Sequence, residues 1–347
     1  MTTATSVETK VKSYEIAGDF GIDNLKVAER PIVELQPNQV RVKVHAVSLN
    51  FRDLLMVKGD YTKKLPFPLI PVSDGAGEII EVGSAVTRVK VGDRVAGTFF
   101  QSWLAGPNGP DYVKSALGGA VNGMLATQVV LHESGVVNIP NELTYEQAST
   151  LPCAGVTAWN ALVSTGGIKP GDTILTMGTG GVSLFALEFA KINGCKIIIT
   201  SSSDEKLERA KALGAHEVIN YKTYPDWEKK VLELTSNRGV DHVVELGGAG
   251  TLERSLKSVA VGGHVSLIGI LTGGGGTVNP MMVLMKNICL QGIYVGSRSM
   301  FEDMLKAMAL HKSKPVIDKI FTFDEVRHAL KHMESGAHFG KIVIKIA

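Results

Sequence analysis

The stretch from Asp172 to Lys206, DTILTMGTGGVSLFALEFAKINGCKIIITSSSDEK, constrains the fold more than any other part of the chain. An apolar, β-branched run (173–177) leads into the turn GTGGVS. A segment with apolar residues at helical spacing then runs to Gly194, and a second apolar run spans 196–200. The order strand, glycine turn, helix, strand predicts half of a dinucleotide-binding fold.

The glycine turn is predicted to hold the pyrophosphate of a dinucleotide. Glycines let the backbone approach a ligand closely, and the start of the following helix offers unpaired N–H groups to phosphate oxygens. The predicted contacts are Gly178, Thr179, Gly180, Gly181 and Val182. Ser183 stands where the GxGxxG fingerprint has its third glycine, and its small side chain is compatible with close packing of helix on strand.

Composition narrows the class of protein and its partners. The chain has 347 residues, which predicts two domains, and a formal net charge of +2, which is too mild for nucleic acid or an anionic membrane as the main partner. Hydrophobic residues make up 44% and charged residues 20%, as in a soluble globular enzyme. We therefore expect a small-molecule substrate.

The cysteines and the chain start bear on location. Cys153, Cys195 and Cys289 are widely spaced and form no CxxC pair, which fits a reducing compartment. MTTATSVETK lacks the apolar core of a signal peptide and predicts a loose tail. No apolar run approaches the ~20 residues of a membrane span. The sequence thus predicts a cytoplasmic protein.

Residues 11–97 read mostly as strands, with RVKVHAVSLN alternating as a half-buried strand does and a helix over 51–59. Residues 101–122 are rich in Gly and Pro without periodicity. They are read either as a lid or wall of a substrate cleft or as a surface excursion. The segment LTYEQASTLPCAGVTAWNALVSTGG is helical in character.

Strands and helices alternate after the opening stretch, which predicts a doubly wound parallel sheet. Predicted helices include 251–263, 299–312 and 324–335. HVSLIGI and NICLQGIYVGS are predicted strands, and the final GKIVIKIA is predicted to return to the first domain. The predicted domains are 1–143 and 297–347, which form one β-rich domain, and 144–296, which binds the cofactor.

The end of the second strand predicts the cofactor. NAD-preferring folds carry an acidic residue there for the ribose 2′-hydroxyl, whereas this chain has Ser201, Ser202 and Ser203. Lys206 lies one turn further and either balances a 2′-phosphate or belongs to a solvated helix face. Asp204 and Glu205 read as first-turn charges of a helix. The pattern favours NADPH over NADH.

The chain resembles the zinc-independent branch of the medium-chain dehydrogenase/reductase superfamily, which includes quinone oxidoreductases and enoyl reductases. The resemblance rests on SLNFRDLLMVKGDY, PLIPVSDGAGEIIEVG with VGDRV, LPCAGVTAWNAL, and the cofactor stretch with KALGAHEVINY. It covers nearly the whole chain. It implies a Rossmann domain inserted into a GroES-like catalytic domain, and hydride transfer as the chemistry.

Zinc-dependent members of that superfamily use two cysteines and a histidine as catalytic ligands. The matching positions here are Asn50 or a close neighbour, Ser73 and Cys153, so one thiol remains where catalytic zinc needs three protein ligands. The cysteine-rich structural lobe is also absent from the sequence. We expect no zinc. Cys153 then reads as a small buried residue rather than a nucleophile, and His328 and His332 as a solvated helix face.

The resemblance also implies roles for individual residues. Ser202, Lys206 and Tyr221 match groups that hold the 2′-phosphate in quinone oxidoreductases, Asn50 and Thr157 match residues lining the nicotinamide, and Lys341 matches a position near the cofactor. Gly269, in HVSLIGI, is assigned to the same site. Tyr61 resembles the proton donor proposed for enoyl reductases, or is an aromatic packed at the cleft edge. Asp53 is expected to be structural.

The resulting hypothesis is an NADPH-dependent, zinc-independent reductase of a quinone or an α,β-unsaturated carbonyl, with Asn50 and Tyr61 as catalytic residues. These acceptors carry their own electron sink, so hydrogen-bond donors suffice to stabilise the developing negative charge. Two alternatives stay open: a zinc alcohol dehydrogenase with unusual ligands, and a non-enzymatic NADPH-binding protein. The apolar NICLQGIYV predicts a homodimer through the last strand of the parallel sheet.

Overall fold

A computed structural model describes residues 10–346, so the tail predicted for MTTATSVETK lies almost wholly outside the described residues. The strands are β1 (Lys10–Glu15), β2 (Lys26–Pro31), β3 (Gln39–Leu49), β4 (Asp74–Val82), β5 (Arg94–Gly97), β6 (Gln128–His132), β7 (Val136–Asn138), β8 (Thr173–Met177), β9 (Lys196–Ser201), β10 (Glu217–Asn220), β11 (Val240–Glu245), β12 (Val259–Leu267), β13 (Cys289–Gly292), β14 (Ile317–Thr322) and β15 (Lys341–Lys345).

Helices connect most of these strands. They are α1 (Phe51–Lys58), α2 (Pro110–Val113), α3 (Tyr145–Ala148), α4 (Val156–Trp159), α5 (Gly181–Ile192), α6 (Asp204–Leu213), α7 (Trp227–Leu234), α8 (Leu252–Ser258), α9 (Pro280–Met285), α10 (Arg298–His311) and α11 (Val326–Glu334). Two π-helical turns, Leu151–Gly155 and Asn160–Ser164, flank α4. No helix among residues 10–346 is long and apolar enough to cross a membrane.

The chain divides into two compact units. The first takes the described chain up to Cys153 together with Ser297–Leu305 and the chain from Ile317, and the second takes Ala154–Gly296 and Lys306–Val316. The domain boundaries predicted from the sequence, at 143/144 and 296/297, stay predictions.

The first unit is built on a sheet with strand order β14-β15-β3-β4-β5-β7, and β6 also pairs with β3. Its neighbouring strands run antiparallel, except for the parallel pair β14 and β15. As predicted, the C-terminal strand returns to this unit, because β15 pairs with β3 from Ile342 opposite Leu49. Together with the parallel sheet of the second unit, described below, this β-rich unit confirms the predicted fold class, a doubly wound parallel sheet combined with a GroES-like domain.

The prediction of a half-buried strand at RVKVHAVSLN is wrong for β3. The strand lies in the middle of the sheet, and of its polar residues Arg41 and Ser48 are buried, whereas Lys43 is exposed. The Arg41 guanidinium is satisfied there, since it donates to Glu81 at 2.7 Å and to the Val33 carbonyl at 2.6 Å. Alternation alone did not reveal this pairing, because the partners come from other strands and loops.

The second unit is a six-stranded, fully parallel sheet with strand order β10-β9-β8-β11-β12-β13. Chain order reverses at β8, which is the topology of the doubly wound dinucleotide-binding fold. Its apolar core includes Leu175, Ile198, Val243 and Val265 from four successive sheet positions. Ligands bind such sheets at the carboxyl ends of the strands, beside the point of reversal.

The predicted helix 251–263 is wrong beyond Ser258. Helix α8 ends there, and the β-branched run that follows starts β12, with Val259 opposite Val240 of β11. A sheet position for Val259 buries it completely. The predicted strand at NICLQGIYVGS is likewise shorter, because only Cys289–Gly292 pairs with the sheet.

Candidate functional site

The glycine turn connects β8 to α5 as predicted. Gly178 adopts a left-handed backbone conformation with φ of 73°, and Gly180 is the extended residue that precedes the helix. A Cβ added at Gly178 or Gly180 would meet no protein atom within 4 Å. Packing within the chain therefore leaves open space beside both glycines, as a bound pyrophosphate requires.

The other residues predicted to contact the cofactor lie in the same turn. Thr179 is buried and lies between the two glycines, and Gly181 and Val182 form the first turn of α5. The first N–H groups of a helix have no intrahelical acceptor, and the helix dipole favours an anion at this end. The backbone of this segment fits the phosphates of a dinucleotide, and the contact of each of these residues with the cofactor stays a prediction.

Ser183 replaces the third glycine of the fingerprint without a loss of packing. It is buried on α5, and its hydroxyl donates to the Met177 carbonyl at the end of β8, with 2.6 Å between the oxygens. Because this buried hydroxyl has a hydrogen-bond partner, it does not incur the free-energy cost of an unpaired buried polar group. The bond also ties the helix start to the strand end, so the departure from the fingerprint reinforces the turn.

A buried carboxylate shapes the neighbouring loop, and the sequence analysis did not single it out. Glu245 ends β11, and its carboxylate accepts from the backbone N–H groups of Gly247 and Gly248 at 2.7 and 3.0 Å and from the Thr251 hydroxyl at 2.6 Å. The Ser255 hydroxyl donates to its second oxygen. An acidic residue followed by two glycines at the end of an apolar strand was the available signal.

Gly269 lies on the strand-end loop after β12. A Cβ there would lie 2.3 Å from the Leu246 carbonyl oxygen, so only glycine allows the loops after β11 and β12 to approach this closely. Gly269 also donates its N–H to the Glu245 carbonyl at 3.2 Å. This accounts for the glycine structurally, and its predicted contact with the cofactor stays a prediction.

The groups predicted to hold the 2′-phosphate lie on adjacent elements. Ser202 follows β9, Lys206 lies in the first turn of α6, and Tyr221 follows β10 with its N–H donating to the Ser201 carbonyl at 3.0 Å. Ser202 and Lys206 are half-buried, and Tyr221 is exposed. The nearby Asp204 carboxylate accepts from the Asn220 amide at 2.7 Å, as part of the first turn of α6.

Thr157 is buried in α4, between the two π-helical turns. Such turns are rare and are frequently found at functional sites. The Thr157 hydroxyl is assigned to the nicotinamide by resemblance alone, and that assignment stays a prediction.

A second group of predicted residues comes together in the first unit. Asn50, Ser73 and Cys153 occupy the positions that the resemblance aligns with zinc ligands, and they lie around Asp74 and Lys341. The Lys341 ammonium donates to the Asn50 side-chain oxygen at 2.5 Å and to the Leu49 carbonyl at 2.6 Å.

The contacts continue from Asn50 towards Asp74. The Asn50 amide nitrogen lies 3.5 Å from the Ser73 hydroxyl, which donates to the Asp74 carboxylate at 2.7 Å. The other Asp74 oxygen accepts from the Cys153 backbone N–H at 3.0 Å. We refer to Lys341, Asn50, Ser73 and Asp74 as the buried relay. Each of these four side chains is at most 9% exposed.

Asp53 anchors the start of helix α1 under this relay. Its carboxylate accepts from the Asn50 N–H at 2.8 Å and from the Ser73 N–H at 3.2 Å, which confirms the structural role expected for it. Burial raises the pKa of Asp53 to about 6, against the lowering effect of the Arg52 charge. Arg52 in turn donates to the Leu117 carbonyl at 2.8 Å.

Burial shifts the other ionisable groups of this region towards their neutral forms. It raises the pKa of Asp74, although the charge of Lys341 opposes the shift, and it lowers the pKa of Lys341, opposed by Asp74. Burial also raises the pKa of the Cys153 thiol well above its ordinary value. The thiol is therefore neutral at physiological pH and is not an activated nucleophile.

Tyr61 lies just beyond α1 and is 43% exposed. The Arg52 guanidinium carbon is 5.8 Å from the centre of its ring, a cation–π distance. The structure therefore gives Tyr61 both a packing neighbour and access to solvent, and its role as proton donor stays a prediction.

His332 was expected on a solvated helix face, but its ring nitrogen instead contacts the Asp318 carboxylate at 2.8 Å.

Residues 101–122 are largely irregular, apart from the single turn of α2. Trp103 and Leu117 anchor the segment in the first unit, and the Trp103 ring stacks on Tyr112 with 6.1 Å between ring centres. The segment is thus a packed loop with exposed residues between its anchors, and its assignment to a substrate cleft stays a prediction.

Among residues 10–346, no cluster of three or more His, Cys, Asp or Glu side chains is arranged to bind a metal ion.

Comparison with known proteins places these features in one family. The family model described as alcohol dehydrogenase GroES-like domain matches residues 36–141, and the one described as zinc-binding dehydrogenase matches residues 181–310. A zinc-type alcohol dehydrogenase-like protein of Schizosaccharomyces pombe is 44% identical, over 94% of this chain and 96% of the relative.

Quinone oxidoreductases are also among the similar proteins. A quinone oxidoreductase-like protein 2 homolog of Nematostella vectensis is 30% identical over 89% of this chain and 82% of the relative. The crystal structure of a quinone oxidoreductase of Pseudomonas syringae superposes with a TM-score of 0.83 at 29% identity, over 97% of this chain and all of that one.

Proposed function

Because the chain belongs to the medium-chain dehydrogenase/reductase superfamily, as a quinone oxidoreductase-like oxidoreductase, we propose that it reduces an activated acceptor with NADPH and without zinc. The acceptor is a quinone or an α,β-unsaturated carbonyl. The observation that carries the proposal is the buried relay. At two of the three positions aligned with zinc ligands, it places the side chains of Asn50 and Ser73, which are hydrogen-bonded to Lys341 and Asp74.

The proposed cofactor site combines the glycine turn between β8 and α5 with residues that follow β9 and β10. The backbone of Gly178–Val182 receives the pyrophosphate, and Ser202, Lys206 and Tyr221 receive the 2′-phosphate. Three serines stand where NAD-preferring folds have a carboxylate, so no carboxylate occupies that position to repel a 2′-phosphate. NADPH supplies the hydride when it is bound there.

The chain's own residues are proposed to stabilise charge and deliver a proton. A hydride accepted by a quinone or an enone leaves negative charge on oxygen, and a metal-free site must meet that charge with hydrogen-bond donors. The proposed donor is the Asn50 amide, the Thr157 hydroxyl or a ribose hydroxyl of the cofactor. Tyr61, which is exposed enough to exchange protons with water, is the proposed proton source, with water as the alternative.

The test is NADPH oxidation, followed at 340 nm, with a panel of quinones and a panel of enones. Primary alcohols with NADP⁺ serve as the comparison. The proposal predicts turnover with at least one of the two acceptor classes and a lower Km for NADPH than for NADH. Absence of turnover with both classes, after NADPH binding has been measured directly, would reject it and favour a non-enzymatic NADPH-binding role.

A second candidate function is zinc-dependent alcohol oxidation. It is favoured by the name of the Schizosaccharomyces pombe relative and by Cys153, which retains a thiol at one aligned ligand position. Metal analysis of purified protein separates the two functions. About one equivalent of zinc per chain, together with alcohol oxidation that a chelator abolishes, would support this second candidate and reject the first.

We also propose that the protein is a cytoplasmic homodimer through β13. This strand ends the parallel sheet, and three of its four residues are exposed. Nearby apolar side chains are exposed as well: Val261, Leu271, Met281, Leu284 and Met285. An unpaired strand edge bordered by apolar surface is typical of a surface that a second copy covers.

A further inference from the structure

The buried relay has a fixed hydrogen-bond direction, and both of its ends set that direction. In its charged form Lys341 can only donate, so the Asn50 atom 2.5 Å from its ammonium is the amide oxygen. An ionised carboxylate can only accept, so the Ser73 hydroxyl donates to Asp74. The Ser73 oxygen is then left to accept from the Asn50 amide nitrogen, which is 3.5 Å away.

Burial makes this direction costly to reverse. Lys341 is 3% exposed, and Ser73 and Asp74 are completely buried. If the Asn50 amide turned over, its NH₂ group would face the Lys341 ammonium, donor against donor, in a region that little water reaches. The Lys341 ammonium is itself held by the Leu49 carbonyl at 2.6 Å, so it does not follow a rotating amide.

We propose that Lys341 is the positioning residue of the active site, and that it acts through Asn50. By holding the amide oxygen, Lys341 keeps the NH₂ end of Asn50 as the donor end. One N–H faces Ser73 and the Asp74 carboxylate, with which the Asn50 side chain is also hydrogen-bonded. The second N–H is the donor that the proposed function uses against negative charge on the acceptor oxygen. This inference rests on the proposed function for its catalytic consequence, whereas the orientation itself does not depend on it.

The proposal differs from the cofactor contact that the resemblance implies for Lys341. A lysine that binds cofactor phosphates lowers the Kd of NADPH, and its loss weakens binding. A lysine that orients Asn50 affects the rate of hydride transfer once the cofactor is bound, because a misoriented amide presents an oxygen, rather than an N–H, to the developing negative charge.

The experiment compares K341M with K345M. Lys345 lies on the same strand, β15, but is exposed, so K345M is the matched control. Single-turnover hydride transfer at saturating NADPH is expected to fall about 100-fold in K341M, the loss typical of a displaced reacting group. We expect no change in K345M, and a Kd for NADPH within twofold of wild type in both variants.

A double-mutant cycle tests whether Lys341 acts through Asn50. In an N50A background, K341M is expected to cause no further loss of rate, since the amide that it orients is gone. K341R, which keeps a buried cation and donor, is expected to recover part of the rate. A wild-type rate in K341M, a weakened Kd as its only defect, or losses that multiply in the double variant would each overturn the proposal.

Two further arms keep the test decisive. If K341M does not fold, D74N/K341M removes the cation and its buried counter-charge together and takes its place. If the wild type turns over no acceptor, the proposed function fails, and hydrogen exchange of the Asn50 side-chain amide, followed by NMR, tests the orientation alone. Exchange at least tenfold faster in K341M than in wild type and K345M supports the positioning role, and equal rates overturn it.

Discussion

Substitutions of charged residues in this chain should have different effects according to how deeply the charge is buried. Asp53, Asp74 and Lys341 are buried and hydrogen-bonded to backbone groups, whereas Lys206 is half-buried in the second unit near the end of β9. Loss of a buried partner leaves an uncompensated group in a medium of low polarity, whereas loss of a partly exposed lysine costs less because water solvates the groups it leaves. Substitutions at these two kinds of position should therefore affect different measurements.

We expect K206A to weaken NADPH binding about tenfold without affecting NADH. The reason is that, of the groups of the cofactor, Lys206 is proposed to contact the 2′-phosphate, which NADH lacks, and a charge-assisted contact of this kind contributes on the order of 1–2 kcal/mol. Fluorescence titration with both cofactors measures the effect. K211A, in the same helix and paired with Glu208, is the control. Equal losses for NADPH and NADH in K206A would remove Lys206 from the 2′-phosphate site.

Asp53 should make stability decrease as pH rises. Its folded-state pKa, about 6, lies above the ordinary value of 3.8 because burial favours the neutral acid. Its contribution is therefore complete below pH 3.8 and is lost as pH rises through 6, by about 3 kcal/mol at 1.36 kcal/mol per pKa unit.

Urea unfolding of wild type and D53N from pH 4 to pH 7.5 measures this contribution. The free energy of unfolding of the wild type, relative to that of D53N, is expected to fall across this interval. A difference that stays constant or rises with pH would show that Asp53 is not held above its ordinary pKa.

At the scale of helices and strands, short-range signals were enough for some elements and not for others. The β8–α5–β9 stretch was predictable because glycine, helix and strand signals follow one another within 35 residues or so. The end of α8 was missed because no proline or glycine precedes Val259, and pairing with Val240 decides its conformation. The bond between Lys341 and Asn50 joins residues 291 apart, so no local pattern contains it.

The site was predictable to a similar extent. Gly178, Gly180 and the serines after β9 were found from sequence because their roles depend on local backbone shape and charge. The roles of Glu245 and of the buried relay depend on which polar groups become hydrogen-bond partners in the folded chain, and these partners cannot be identified from the sequence alone. The Lys341 ammonium, for example, contacts the end of β3 rather than any neighbour in its own segment.

Helix α1 ends at Gly59, and this position should be sensitive to substitution. Gly59 has a φ of 71°, and a Cβ there would lie 2.6 Å from the Phe20 ring. We expect G59A to destabilise the first unit by about 2–4 kcal/mol, from backbone strain and overpacking together. Gly336 has a φ of 65° but open space at its Cβ, so G336A should cost only about 1 kcal/mol. Thermal and urea unfolding measure both, and equal losses would contradict the predicted clash.

At the scale of the whole molecule, one edge of the second unit's sheet bears on assembly. This parallel sheet ends at β13, and exposed apolar residues lie near it in sequence. Exposed strand edges are liabilities for a monomer, and a symmetric dimer that extends the sheet across a two-fold axis removes one of them.

Light scattering should therefore give twice the mass of one chain for the wild type. L284E/M285E places two charges on side chains that are 71% and 73% exposed in the single chain, and we expect it to be monomeric. L310E changes a side chain that is 78% exposed on α10 and should leave the dimer intact. A wild-type mass near one chain, or a dimer that survives L284E/M285E, would contradict the proposed interface.

The most direct measurement of the central claim is the rate of NADPH oxidation by chelator-treated protein in the presence of a quinone or an enone. Bound zinc is quantified in the same sample. The proposed function predicts that the rate is unchanged when zinc falls below about a tenth of an equivalent per chain, because hydrogen-bond donors stabilise the charge on the acceptor oxygen in place of a metal. A rate that disappears on chelation and returns only when zinc is added would contradict it.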